Sequence, residues 1–264
     1  MRLAILNHIE SIESREALKL LMDHFELTHK EPEALWIGFQ TGVTIEPSVR
    51  VIACPCTGLD HLDLADLYAR GVGVISLKGE TEFLRDVWAT AEHTISLMLQ
   101  ILKRRRAELQ SRRVLIIGGG RVGQQVKELL GTMPSWIEVV DREFVGREQR
   151  FLESADIVTL HVDLNETTNP LIGPREFEMM KPGAFLINTS RPQVVDAEAL
   201  RVVLNTGKLA GAAIDFPMPF SGRFLLTTPH IGGDTVESRS KTDLFIAKKL
   251  VEWSRNDRLQ NHIA

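Results

Sequence analysis

Cysteine is nearly absent. The 264 residues contain two, Cys54 and Cys56, in a Cys-Pro-Cys run. Two thiols one residue apart, with no others in the chain, build neither a disulfide framework nor a zinc ribbon. A reducing setting is expected, and we read the protein as cytoplasmic. Long apolar runs are also missing. None reaches the roughly 18 residues of a membrane span. The opening "MRLAILNHIE" turns polar by Asn7 and is too short in apolar content for a signal peptide. There is no charge excess: 31 basic and 35 acidic residues leave a net charge of −4, which excludes the electrostatic footprint of a nucleic-acid or anionic-membrane binder. The one basic cluster, "KRRRAELQSRR", has no aromatic residues interleaved, and basic residues at a helix end suit the helix dipole. No internal repeat or low-complexity stretch occurs. A hydrophobic content of 44% with 25% charged residues is that of an ordinary globular chain, long enough for one large domain or two moderate ones.

Short apolar runs alternate with helical-period segments. "LAILN", "ALWIGF", "VRVIACPC" and "VGVISL" read as buried strands, separated by the amphipathic stretches "SREALKLLMDHF" and "DLADLYARG". A long helical pattern follows, from about Glu82 to Gln110, whose length predicts a connector between two domains. A second series then begins. Its strands are "VLIIGG", "WIEVVD", "DIVTLHV", "AFLINTS", "LAGAAID" and "FLLTTPH", with "VGQQVKELLG", "GPREFEMM" and "DAEALRVVLNTG" as helices among them. "SKTDLFIAKKLVEWSRND" closes the chain as a helix. Strands without polar alternation, most followed by a helix, predict parallel sheets covered on both faces.

Gly118, Gly120 and Gly123 stand in G-x-G-x-x-G order between an apolar strand and a helix, the context that dinucleotide binding requires. The first glycine allows a tight turn, the second a close approach to a pyrophosphate, and the third close packing of helix on strand. The helix N-terminus offers free N–H groups and a favourable dipole to phosphate. Asp141 ends the next strand at the spacing of the ribose-binding acid, which favours NAD over NADP, although Arg142 follows directly.

With these residues in place the chain resembles the D-isomer-specific 2-hydroxyacid dehydrogenases, the family of phosphoglycerate, glycerate and formate dehydrogenases. The resemblance runs through "CTGLDHLDL", "ATAEHTISLML", "GGGRVG" with Asp141, "LHVDLNETTNPLIGPREFEMMKPGAFLINTSRP", "GAAID" and "TPHIGG". It implies an α/β fold of two doubly wound parallel-sheet domains. A Rossmann NAD-binding domain (residues 85–239) would be inserted into a flavodoxin-like substrate domain (residues 1–84 and 240–264), with the reaction in the cleft between them. It assigns NAD contacts to Gly118, Gly120, Arg121, Val122, Gly123, Asp141, Thr189 and Asp215, the last at the nicotinamide amide. Backbone N–H groups of Thr57, Gly58 and Leu59 fall at the substrate carboxylate. No metal is implied. The expected partners are a small 2-hydroxy or 2-oxo acid and a second copy of the chain in a homodimer, with neither nucleic acid nor membrane.

Reduction of a 2-oxo acid needs a hydride donor, a cation for the carboxylate and carbonyl, and an acid for the forming alkoxide. The resemblance places Arg191 as the cation and His230 as the acid. A guanidinium binds a carboxylate as a fork, which lysine cannot copy. Pro192 replaces the family's usual glycine and biases Arg191 toward extended backbone. The glutamate that pairs with the family's histidine is missing, since Pro219 or Phe220 stands at its place, and the loop leading to His230 is short. Without a carboxylate, imidazole titrates near its ordinary ~6.5. Asp234 is a candidate substitute partner, His61 a candidate substrate contact, and Lys78, with Glu80 beside it, a candidate contact for a second anionic group. The expected function is an NAD-dependent dehydrogenase of a small 2-hydroxy acid. A second reading keeps nucleotide binding and drops turnover, leaving an NAD(H) sensor.

Overall fold

The computed structural model describes residues 1–6, 11–38, 42–141, 146 and 148–256. Each of the two α/β series folds around its own parallel sheet. The chain divides into two compact units, Met1–Val87 with Asp234–Ala264, and Trp88–Gly233.

The first unit contains β1 (Arg2–Ile5), α1 (Arg15–His24), β2 (Glu26–Leu27), β3 (Ala34–Trp36), β4 (Val51–Cys54), α2 (Leu64–Ala69), β5 (Gly73–Ser76) and the short α3 (Thr81–Leu84). Its sheet runs β2-β1-β3-β4-β5, all parallel, the flavodoxin-like order. Helix α1 starts where Ser14 accepts the Ala17 N–H at 3.1 Å, satisfying one of the donors a helix start leaves open. Its apolar stripe, including Ala17 and Leu21, covers one sheet face together with Ile246 and Leu250 of the returning helix α9 (Val236–Asn256). Ile52, Leu67 and Val74 fill the other face. Asp243 of α9 fastens the returning segment. Its carboxylate accepts the N–H groups of Glu13 (2.8 Å) and Ser14 (3.4 Å), while burial pushes its pKa up.

The second unit contains α4 (Ala89–Arg104), β6 (Arg113–Ile117), α5 (Arg121–Leu130), β7 (Trp136–Val140), α6 (Glu148–Leu152), β8 (Ile157–Leu160), α7 (Pro174–Met179), β9 (Ala184–Asn188), α8 (Ala197–Asn205), β10 (Leu209–Ile214) and β11 (Leu225–Thr227). The sheet is parallel, in the order β11-β10-β9-β8-β6-β7. Helices α4 and α5 cover one face and α6, α7 and α8 the other, the layering that fully apolar strands demand. The order reverses between β6 and β8, the switch point beyond whose carboxyl ends such sheets bind ligands.

The long connector expected from Glu82 to Gln110 is broken. Helix α3 ends at Leu84, and α4 occupies Ala89–Arg104. The stop is a Schellman motif: the Ala107 N–H bonds to the Leu102 carbonyl (3.0 Å) and the Arg106 N–H to Lys103 (3.1 Å). Arg106 takes the left-handed conformation at φ 53°, the place where glycine would have signalled the end.

Candidate active site

The glycine turn after β6 is tightly enclosed on two sides. Gly118 lies at φ 110°, and a side chain there would overlap the His161 carbonyl. A side chain at Gly123 would overlap the Gly118 carbonyl, so α5 rests directly on the turn. Gly120 has open space where its side chain would be, and as N-cap of α5 it leaves that helix start without a side-chain cap. A helix start of this kind, capped by no side chain of its own N-cap residue, suits an anion. A side chain on Gly119 would lie 3.6 Å from the Asp141 carboxylate, so the acid stands beside the turn on the exposed end of β7. Arg121 bonds along the helix to Gln125 at 3.2 Å, and Val122 packs with the α4 face of the core. Arg142 lies outside the described residues. The groups fit a dinucleotide: a helix start for phosphate and a carboxylate for ribose.

Arg191 follows β9 and His230 follows β11, with β10 between the two strands, and each loop winds around one buried polar side chain. Asn188 ends β9. Its Oδ1 accepts the Ser190 N–H (2.9 Å) and hydroxyl (2.8 Å), and its amide donates to the Arg191 carbonyl at 2.8 Å. Pro192 opens a 3-10 turn, and Arg191 sits at φ −143°, ψ 146°, the extended backbone that a following proline imposes. Its guanidinium donates to the Ser190 carbonyl at 2.7 Å.

Asp215 follows β10 and is 1% exposed. Its Oδ1 accepts the Thr228 hydroxyl (2.6 Å) and the Ile231 N–H (2.9 Å), and its Oδ2 accepts the Gly232 N–H (2.7 Å). His93 Nε2 stands 3.4 Å from Oδ1. Burial pushes this carboxyl up, but the bonds from His93, Thr228, Ile231 and Gly232 outweigh it and hold the pKa below the usual value. The loop so held carries His230 at φ 61°, its ring tilted against Phe216 with centroids 4.7 Å apart. The two anchors are themselves bonded, since the Asp215 N–H donates to the Asn188 carbonyl at 2.9 Å. A guanidinium and an imidazole thus stand on loops whose anchors are bonded to each other, one suited to a carboxylate and the other to moving a proton.

Several of these residues escaped the sequence reading. Asn188, Thr228 and Phe216 gave no signal of their own. His93 stands in a helix whose buried face is mostly apolar, a signal that could have found it. Where the glutamate was expected, Phe220 packs with Met218 against the apolar core. Asp234 pairs with Arg239 at 3.3 Å, in the first unit.

In the first unit, the segment after β4 carries Thr57, exposed, and Leu59, whose side chain enters the core. The Leu77 N–H pins the segment's start at the Cys56 carbonyl (3.0 Å). Both cysteines are free and buried. Cys54 Sγ lies 3.8 Å from His61 Nε2, and contacts to Cys56 first, then His61, pull its thiol down to about 6 against the effect of burial. Lys78 is exposed, and Glu80 forms an ion pair with Lys249. Among the described residues, no cluster of side chains could hold a metal, and no helix is long and apolar enough to cross a membrane.

Residues 88–232 match the model of the D-isomer specific 2-hydroxyacid dehydrogenase NAD-binding domain. The chain belongs to that family. The D-3-phosphoglycerate dehydrogenase of Escherichia coli K12 is 32% identical over 245 residues, covering 78% of this chain and 58% of that protein. The glyoxylate reductase of Thermococcus litoralis is 29% identical, covering 80% of this chain and 76% of the relative. The chain thus spans little more than half the length of the Escherichia coli dehydrogenase. Among solved structures, the fold matches the TT0316 protein from Thermus thermophilus with a TM-score of 0.82 at 24% identity over both whole chains. It also matches an Aquifex aeolicus D-lactate dehydrogenase complexed with NAD and lactic acid, with a TM-score of 0.79 at 22% identity over 98% and 97% of the two chains.

Proposed function

We propose that this family member is an NAD(H)-dependent oxidoreductase that interconverts a small 2-oxo acid and the corresponding 2-hydroxy acid. The observation that carries the reading is the pairing of two strand ends: Asn188 and Asp215, bonded to each other, anchor the Arg191 loop and the His230 loop. Residues 88–233 form the nucleotide domain in this reading, and the flanking segments form the substrate domain. When bound, NAD(H) supplies the hydride in reduction and accepts it in oxidation. Gly118, Gly120 and Gly123, with Arg121 and Val122, shape the phosphate turn, and Asp141 takes the ribose hydroxyls. Thr189 and Asp215 frame the nicotinamide end as positioning groups.

Arg191 binds the substrate carboxylate and polarises the carbonyl, a task for a planar fork. An imidazole N–H of His230 gives its proton to the forming alkoxide oxygen, and in the reverse direction a ring nitrogen takes the hydroxyl proton. Backbone N–H groups of Thr57, Gly58 and Leu59 are proposed to meet the substrate's anionic end. The enzyme is proposed to be cytoplasmic, where its two thiols stay reduced, and homodimeric through the outer face of α4, where Leu99 is 45% exposed.

The test is NADH oxidation with a panel of 2-oxo acids, including glyoxylate, hydroxypyruvate and its phosphate, with NADH binding titrated on the same sample. Turnover is expected. His230→Ala should lower kcat by about 10²–10⁴-fold, the usual share of general acid–base catalysis, and Arg191→Lys should raise KM for the acid. Tight NADH binding with no turnover of any acid would instead assign the protein to nucleotide sensing.

A further inference from the structure

The first turns of α4 touch both working loops, through consecutive side chains. His93 Nε2 lies 3.2 Å from Thr228 Oγ1 and 3.4 Å from Asp215 Oδ1. Thr94 Oγ1 lies 2.8 Å from Thr189 Oγ1. The direction of each bond follows from counting hydrogens. The single Thr228 hydroxyl proton goes to Asp215 at 2.6 Å, so His93 must be the donor, with its proton on Nε2. The Thr94 hydroxyl proton goes to the Thr90 carbonyl at 2.7 Å, so the Thr189 hydroxyl donates into Thr94. Both ends of the second bond are buried, Thr94 at 0% and Thr189 at 7% exposure, where an unmade bond is expensive.

The two contacts reach different loops. His93 completes a cage around Asp215, whose other donors come from both sides of His230: Thr228 before it, Ile231 and Gly232 after it. The cage is tight. A side chain on Gly232 would come within 2.7 Å of Asp215 Oδ2 and 3.5 Å of the His93 ring. Thr94 holds Thr189, two residues before Arg191 and next to Ser190, which caps onto Asn188. One rigid helix therefore fixes two loops that the chain reaches 95 and 135 residues later.

We propose that His93 and Thr94 are positioning residues of the active site, His93 setting the proton-transferring histidine and Thr94 the carboxylate-binding arginine. The proposal rests on the roles given above to His230 and Arg191. It predicts a split in kinetics, because the two loops serve different steps. A misplacement of about 1 Å can lower a rate by up to roughly 10²-fold.

Four variants test it in the full chain: His93→Leu, His93→Gln, Thr94→Val and Thr94→Ser. Removing the His93 donor with leucine should lower kcat by about 10-fold or more while KM for the 2-oxo acid changes little. Glutamine, which keeps an N–H at similar reach, should recover most of the loss. Thr94→Val should mainly raise KM, about 10-fold, and Thr94→Ser should restore it. A second readout needs no turnover. Amide hydrogen exchange at Ile231 and Gly232 should quicken in His93→Leu, and at Ser190 in Thr94→Val, each without the other. Leucine and valine variants that match wild type in both kinetics and exchange would overturn the proposal. So would losses spread equally over both loops, with no recovery in the conservative variants. If wild type turns over no 2-oxo acid but the separate exchange effects appear, the loop positioning stands and the dehydrogenase reading fails.

Discussion

His161 follows β8 with its Nε2 bonded to Thr159 at 2.9 Å and its Nδ1 buried without a partner. Burial pushes this imidazole down to about 3, whereas in the unfolded chain it titrates near ~6.5. Between those values the unfolded state binds the extra proton. Its contribution to stability is therefore complete above about 6.5 and falls as the pH drops toward 3, by at most ~1.4 kcal/mol per pH unit for one group. Urea unfolding of wild type and His161→Gln at pH 7, 6, 5 and 4 should give curves that converge in acid. Parallel curves would clear His161 of the effect. Asp215 works in a lower window: its depressed carboxyl stabilises above the ordinary carboxylate range of ~3.9 and loses that contribution as pH falls through its folded value. Its larger effect is geometric. Asp215→Asn turns one oxygen into a donor facing donors, and with the residue 1% exposed the loss should be about 2 kcal/mol, with a lower kcat. An Asn variant with wild-type stability and rate would show that the charge on Asp215 is dispensable.

At the scale of elements, the turn before α5 has the least room to vary. Gly123→Ala would drive a methyl into the Gly118 carbonyl, lifting α5 off β6 and moving the N–H groups proposed for phosphate. NADH affinity, followed by fluorescence titration, should fall at least about 10-fold, since the loss of a single hydrogen bond to a charged group is worth ~1.5–3 kcal/mol. Unchanged affinity would remove α5 from the binding site. The end of α4 makes an opposite prediction. Arg106 holds a left-handed conformation that costs a non-glycine residue ~1–2 kcal/mol. Arg106→Gly should raise Tm, and a lowered Tm would mean that the side chain's contacts outweigh its strain. These two turns show what a sequence announces. The strand before Gly118, the three glycines and Asp141 were readable because apolar runs and glycine spacing encode backbone needs directly. The stop of α4 was not, because an arginine fills a position that glycine usually marks. The loops of Arg191 and His230 were readable only as motifs. Their anchors, Asn188, Asp215 and His93, owe their roles to bonds between residues up to 135 apart, which no local pattern contains.

For the molecule as a whole, the alternation of apolar runs and helical periods already spoke for parallel sheets, and the long helical pattern between the two series for a pair of domains. It could not show how the chain's end closes the first one. That unit is built from two segments, and the second brings Ile246, Ala247, Leu250 and Trp253 of α9 into the core beside Leu21 and Trp36. The second unit is one continuous stretch, Trp88–Gly233, with apolar clusters on both sheet faces drawn from its own residues. The two should therefore differ in their dependence on α9. Ending the chain at residue 235 strips five buried core side chains, Val251 included, from the first unit, at ~2–5 kcal/mol for a single large aliphatic, which exceeds what a domain of that size can lose. The truncated chain should show protease cleavage throughout residues 1–87 and keep residues 88–233 as a resistant fragment that still binds NADH. Cleavage spread evenly over the whole chain would mean that the second unit depends on the first for its fold. Protection of both would mean that α1 alone suffices to cover the first sheet.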